Sequence, residues 1–186
     1  IRFRNACIIS DKVIVVSSYL ESLVKKKNKC VFLIPSTASS DIFYFDKKKR
    51  EKKRKELNIK NKEIVFVYSG SLKKYQMIDE TINFFRSILK TYNKCKLLIL
   101  TKDIDIAKKK VFGEKQIYVF CLEQKEVNDY LNAADFGIMI RKSDLTNRAA
   151  SPTKFAEYCL TGLNVITNAS VRDYYNMKNQ SKNIFD

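Results

Sequence analysis

Two stretches of the sequence carry residues whose types and spacing suit chemistry. SGSLKKYQM (Ser69 to Met77) places Gly70 where a backbone can approach a ligand closely, with Lys73 and Lys74 beside the start of a helical pattern. A glycine-containing turn into a helix N-terminus, flanked by cations, favours an anion. The same sequence also suits an ordinary strand-to-helix corner. It fits neither GxGxxG nor the Walker A pattern, which argues against an ordinary NAD site or P-loop. The second stretch, SPTKFAEYCLTGLNVIT (Ser151 to Thr167), holds a lone carboxylate, Glu157. Ser151 is a good N-cap and Pro152 suits the first helical position, because its missing N–H would have no partner there. Helical spacing puts Pro152, Phe155, Ala156, Cys159 and Leu160 on one side and Lys154, Glu157 and Tyr158 on the other. Glu157 is therefore expected to face away from the core, where a surface pair with Lys154 is the simplest role for it.

A third pattern is Asp103-Ile104-Asp105 directly after an apolar run. Two aspartates in one turn suit a metal, and they suit equally the first turn of a helix through IAKKK. The chain has no histidine, which removes histidine-based acid/base catalysis and most transition-metal sites from these residues.

The elements that position these stretches follow from apolar patterning. IVFVYS (Ile64 to Ser69), KLLILT (Lys96 to Thr101), IYVFC (Ile117 to Cys121), FGIMI (Phe136 to Ile140) and NVIT (Asn164 to Thr167) are continuous apolar runs of strand length, expecting cover on both faces. Between them, Met77 to Leu89 places Ile78, Ile82, Phe85 and Leu89 on one helical stripe, and EVNDYLNAAD repeats this with Val127, Tyr130, Leu131 and Ala134. Alternating strands and helices predict an α/β fold, a Rossmann-like doubly wound parallel sheet with right-handed crossovers. Ligands of such sheets bind beyond the carboxyl ends of the strands, which is where both stretches fall.

The organisation is read as three segments. Residues 1–35 contain a strand and a helix (Lys12 to Lys27), and the breaker cluster Pro35 to Ser40 marks a boundary. Residues 36–62 form a linker with the charged helix KKKREKKRKELNI (Lys47 to Ile59), expected to be a solvated helix face or hinge. Residues 63–186 form the doubly wound domain. Opening on Ile1 rather than Met, the chain reads as a fragment.

Composition sets outer bounds. The net charge is +16, from 36 basic and 20 acidic residues, which suits anionic partners. The joint abundance of Lys, Asn, Ile, Tyr and Phe also follows from AT-rich codons. Cys7, Cys30, Cys95, Cys121 and Cys159 show no CxxC spacing and read as small buried hydrophobes of a reducing cytoplasm. No apolar run approaches the roughly 18 residues that span a bilayer.

EYCLTGLNVIT resembles the Glu-x-x-x-x-Gly-(Leu)-Pro-Val-Ile segment of retaining glycosyltransferases of family 4, which have the GT-B fold. The resemblance extends over most of the chain. VIVVSSYLESLVKKK is similar to the last strand and helix of their N-terminal, acceptor-binding domain, and VFLIPSTASSDIF to their interdomain connector. VYSGSLKKYQMIDETINFF resembles the first βα unit of their donor-binding domain, and EVNDYLNAADFGIMI the helix and strand before the signature.

The resemblance implies the C-terminal half of a GT-B fold with a short remnant of the N-terminal domain. It implies transfer of a sugar from a nucleotide-diphosphate donor with retention at the anomeric carbon, in polysaccharide or glycoconjugate synthesis. The diphosphate would lie over the first loop (Gly70, Ser71, Lys73, Lys74) and the signature helix (Ser151, Thr153, Lys154). Glu157 falls on the second glutamate of the Glu, seven residues, Glu pattern and would hold the ribose hydroxyls; Ala149 stands at the first. Ser-Pro-Thr-Lys marks a subgroup that uses this loop instead, with Arg148 beside it. Lys74 and Arg148 are the implied catalytic cations, and backbone around Leu122 (Cys121 to Glu123) would read the base. No metal or other cofactor is expected. The expected partners are the nucleotide-sugar donor and a glycan or lipid-linked acceptor, without nucleic acid, in the cytoplasm or at the inner face of a membrane. Two rivals stand beside this reading: a nucleotide-sugar epimerase of the same fold, and a basic module docking on nucleic acid or anionic membrane through Lys47 to Lys55.

Overall fold

The computed structural model describes residues 2–186. The first part contains α1 (Arg2–Ile9), β1 (Val13–Val15), α2 (Ser18–Val24) and β2 (Val31–Leu33). β1 and β2 pair in parallel as a small sheet of their own. Ser17 caps α2, its side chain accepting from the Leu20 N–H.

After α3 (Lys47–Glu56), the rest of the chain alternates: β3 (Ile64–Ser69), α4 (Ile78–Thr91), β4 (Cys95–Leu100), α5 (Ile104–Lys110), β5 (Ile117–Phe120), α6 (Gln124–Ala133), β6 (Phe136–Met139), α7 (Leu145–Ala149), α8 (Thr153–Leu160), β7 (Asn164–Thr167), α9 (Arg172–Asn176) and β8 (Ile184–Phe185). The six strands form one parallel sheet in the order β5-β4-β3-β6-β7-β8. Counted from β3, this is the 3-2-1-4-5-6 order of the doubly wound fold, as the alternating pattern predicts. The order reverses between β3 and β6, the position at which sheets of this kind bind ligands beyond the strand ends.

Both sheet faces are covered, which explains the continuous apolar runs. Val65 and Val67 of β3 point to one core with Leu131 of α6 and Phe155 and Tyr158 of α8. Phe66 and Tyr68 point to the other, with Ile78, Ile82 and Phe85 of α4 and Ala107 of α5. A β-carbon on Gly137 of β6 would lie 2.4 Å from the Tyr158 ring, so only glycine lets α8 settle this closely on the sheet.

Three expectations are met in part or corrected. α3 has the expected solvated face, with Lys47, Lys48, Glu51, Lys52 and Lys55 exposed, but its other face is engaged: Arg54 is buried, donating to the carbonyls of Ala133, Lys60 and Glu63, while Arg50 donates to those of Asn132 and Ala134. Both pair with Asp135, so one face of this charged helix neutralises the carbonyl end of α6. Secondly, Cys121 and Cys159 are exposed rather than buried, although Cys7 and Cys95 are buried. Thirdly, α8 is turned from its expected setting. Lys154 and Tyr158 are buried, Cys159 and Leu160 are exposed, and Glu157 is half-buried. Polarity mis-sorts this helix because Lys and Tyr bury apolar stems when their polar tips find partners. Among the described residues no helix is long and apolar enough to cross a membrane.

Candidate functional site

The candidate site lies at the carboxyl ends of β3 and β6, against the first turn of α8. Gly70, the first residue after β3, has φ +142° and donates its N–H to the Leu100 carbonyl at 2.9 Å. The loop that follows is anchored twice: the Tyr68 hydroxyl donates to the Ser71 carbonyl at 2.6 Å, and the Leu72 N–H donates to Asp103 Oδ2 at 2.7 Å. Asp103 thus holds a backbone amide, and Asp105 lies in the first turn of α5. Among the described residues no group of three His, Cys, Asp or Glu side chains is placed to hold a metal.

Lys154 enters this site from α8. Its side chain is 6% exposed, and its Nζ donates to Gln76 Oε1 at 3.0 Å and sits 4.3 Å from the Tyr68 ring centroid. The ammonium lies directly beneath Gly70. Burial, with Arg141 adding to it, lowers the Lys154 pKa to about 7; Glu157 acts in the opposite sense.

Arg141, two residues past β6, is a second buried cation, also 6% exposed. Its Nη1 donates to Asn147 Oδ1 at 3.0 Å, and its buried Nε has no hydrogen-bond partner. Asn147 is itself buried and donates to the carbonyls of Lys142 and Tyr75, so it ties the Arg141 loop to the Gly70 loop. Burial lowers the Arg141 pKa, and the groups that oppose this are tyrosines, not carboxylates. Among the described residues neither Lys154 nor Arg141 forms an ion pair. Two buried cations that repel each other are costly unless an anion joins them.

Glu157 lies one turn beyond Thr153 on α8. Burial raises its pKa, offset by the Thr153 side chain and Lys154. Lys154 points inward to Gln76, so the expected surface pair is not its arrangement. Thr153, Lys73 and Lys74 are exposed on the elements of the site, and Ser71 is half-buried in the first loop. Leu122 packs on the edge of the core beyond β5. The neighbouring Glu123 N–H donates to Glu126 Oε2 at 2.9 Å, opening α6. Ser151 does not cap α8. Pro152 precedes the first helical residue, while Ser151 Oγ accepts from the Ser36 N–H at 2.8 Å and shares a 2.6 Å hydrogen bond with the Tyr174 hydroxyl.

Arg148 stands apart from Lys154 in its contacts. Its guanidinium lies 4.8 Å from the Tyr19 ring centroid, facing α2 across a separate cavity. The sequence reading missed Arg141, Asn147 and Gln76. A cation immediately beyond an apolar strand at the switch of strand order was the available signal for Arg141.

Comparison with solved structures places this architecture among the GT-B glycosyltransferases. The chain superposes on WaaG, a glycosyltransferase involved in lipopolysaccharide biosynthesis, with TM-score 0.67 and 16% identity over 90% of this chain and 47% of that one. HepE from Anabaena, in complex with UDP-glucose, gives TM-score 0.67 and 12% identity over 88% of this chain and 46% of that one. The C-terminal domain of the glycosyl transferase group 1 protein LpcC from Francisella tularensis gives TM-score 0.56 and 18% identity, covering 72% and 71%. The chain spans about half the length of WaaG and HepE. At these identities the likeness defines the fold: the Rossmann-like half of a GT-B glycosyltransferase fold. No protein-family model matches the sequence, and no curated protein matches it.

Proposed function

We propose that the chain is the donor-binding half of a retaining glycosyltransferase, with the tail of its acceptor-binding half. The observation that carries this reading is the pair of buried cations that form no ion pair among the described residues, Lys154 and Arg141, at the strand-order reversal. A nucleotide diphosphate in this site supplies the missing negative charge, with Gly70 allowing its close approach. Glu157, ionised, accepts from both ribose hydroxyls, as acidic residues of dinucleotide sites do. Backbone near Leu122 reads the base. Thr153 and Lys73 line the approach to the phosphates.

In the reaction, an acceptor hydroxyl oxygen bonds to the anomeric carbon on the face the diphosphate leaves. The bond from that carbon to the diphosphate oxygen breaks with its electron pair, and the hydroxyl proton passes to the leaving phosphate. Negative charge therefore grows where Lys154 and Arg141 converge. Preorganised cations in a site of low dielectric stabilise such charge by roughly several kcal/mol. Lys74 adds a cation from the loop after β3, whereas Arg148, on α7, lines the separate cavity beside α2. The scheme uses no metal ion. The setting is polysaccharide or glycoconjugate synthesis in the cytoplasm, with a glycan or lipid-linked acceptor, in which case peripheral contact with the membrane's inner face fits the basic surface.

Thermal denaturation with UDP and GDP tests the reading. A nucleotide at a hundred times its Kd stabilises by about 2.7 kcal/mol, and Glu157→Ala, which weakens binding, is expected to reduce the shift of the preferred one. Absence of any shift across a panel of nucleoside diphosphates would sink the proposal.

A further inference from the structure

A separate cavity of about 630 Å³ lies between α2 and the loops around α7 and α9. Tyr19, Ser22 and Lys26 line one wall; Ser143, Arg148 and Arg172 line the other. Its walls are held in register by polar contacts that do not consume these cations. Ser17 Oγ donates to the Ala149 carbonyl at 3.0 Å, and the Ser18 N–H donates to Asp173 Oδ2 at 2.8 Å. The Ser18 hydroxyl donates to the other oxygen of Asp173, so this carboxylate is engaged on both oxygens.

The cavity has a definite chemical character. It contains three cations and no acidic lining residue, and among the described residues none of Lys26, Arg148 and Arg172 forms an ion pair. The Arg148 guanidinium rests on the Tyr19 ring, an arrangement that fixes its plane and lowers the entropy lost when it binds. Guanidinium forks match phosphate and carboxylate oxygens in pairs, while serine hydroxyls suit the hydroxyl groups of a sugar. The volume falls within the range of small-molecule sites.

We propose that this cavity is an acceptor subsite for an anionic sugar, one bearing a phosphate or carboxylate group. The assignment to an acceptor rests on the glycosyltransferase reading; the anionic-sugar site itself rests on the cavity alone. Arg172 and Lys26 hold the charged substituent, and Ser22 and Ser143 take ring hydroxyls. Arg148 stands at the wall formed by α7 and contacts the same ligand.

Calorimetric titration of the 186-residue chain tests this with glucose 6-phosphate, glucuronate, neutral glucose, inorganic phosphate and UDP. The wild type is expected to bind at least one anionic hexose more tightly than glucose and inorganic phosphate, and the two anionic hexoses distinguish phosphate from carboxylate. The double variant Lys26→Gln/Arg172→Gln should weaken that binding by about tenfold or more, as expected for lost charge-assisted bonds, and leave UDP binding unchanged. Lys154→Met should do the reverse. The proposal is overturned if the double variant binds the anionic hexose as the wild type does, or if Lys154→Met abolishes that binding. It is equally overturned if neither anionic hexose binds, or if inorganic phosphate binds as tightly. Anionic-hexose binding that depends on Arg172, without any nucleotide binding, would retain the cavity's assignment as an anionic-sugar site and remove the donor reading.

Discussion

Lys154 Nζ sits 2.9 Å from the position a β-carbon would take on Gly70, so any side chain there would press on the ammonium. Glycine is favoured there on a second, independent ground: at φ +142° the backbone is strained for any other residue. Gly70→Ala is therefore expected to destabilise the fold by about 1–3 kcal/mol and to displace the ammonium. Nucleotide affinity should fall with it, by roughly tenfold or more if the ammonium contacts the diphosphate. Chemical denaturation and a nucleotide titration on the same variant separate the two effects, and unchanged affinity would detach Gly70 from the site.

The lowered pKa of Lys154 gives a pH dependence with a defined sign. The unfolded chain holds this proton up to the ordinary value of 10.5, whereas the folded chain releases it near 7. Between those values the unfolded state binds more protons, so Lys154 makes stability rise with pH, and that contribution is lost as pH falls through 7. Anion binding acts in reverse, because it needs the charged ammonium. Above pH 7 each bound nucleotide should take up a proton at Lys154, and affinity should decline towards about tenfold per pH unit. Tyr68 and Tyr158, pushed upward by burial, stay neutral across this range. Titrations from pH 7.5 to 9, in buffers of different ionisation enthalpy, measure the uptake; Lys154→Met should remove it. A wild type that takes up no proton would contradict the assignment.

Tyr158 is held between two residues of different strands. Its ring covers Gly137, and its hydroxyl accepts from the Ser69 N–H at 3.0 Å. Gly137→Ala must move the ring, with a loss of roughly 1–3 kcal/mol typical of overpacking. Tyr158→Phe keeps the ring and leaves the Ser69 amide unpaired, which should cost about 1–3 kcal/mol. Urea denaturation of both variants checks these values. Because both changes shift α8 against β3, each should also weaken nucleotide binding more than a surface substitution such as Lys60→Ala.

The sheet was legible because its strands are buried on both faces: Val65 to Tyr68 and Leu97 to Leu100 show unbroken apolar runs that have few other uses. β8, with only Ile184 and Phe185, is too short to register by pattern. At Asp103 to Lys110 the sequence favoured a helix start over a metal turn, and the structure has α5 there. Less of the candidate site was legible. The wheel that sorted α8 by polarity assigned Lys154 and Tyr158 outward, since nothing local in the sequence tells that Gln76 and the Ser69 amide will meet them. Arg141 is one of two adjacent cations after a strand, and its meaning comes from Asn147 and Tyr75, which reach it only through the packing of α7 and the loop after β3. The charged run at α3 hid its function for the same reason: the acceptors of Arg50 and Arg54 lie at the end of α6, more than 75 residues away.

Glu157 permits a test in which the ligand, not only the protein, is altered. If its carboxylate accepts from both ribose hydroxyls, the wild type should prefer UDP or GDP over the corresponding 2′-deoxynucleotide by about 1–3 kcal/mol, roughly 5- to 150-fold in Kd. Glu157→Gln keeps the shape of the side chain and leaves one acceptor oxygen, so part of the preference should persist. Glu157→Ala should remove it, with both nucleotides binding at the level of the wild type's deoxynucleotide. A preference equal in wild type and Glu157→Ala would locate ribose recognition elsewhere. Because Lys154 and Arg141 hold the phosphates in either case, loss of all binding in Glu157→Ala with the fold intact would instead show that the carboxylate organises the cation pair.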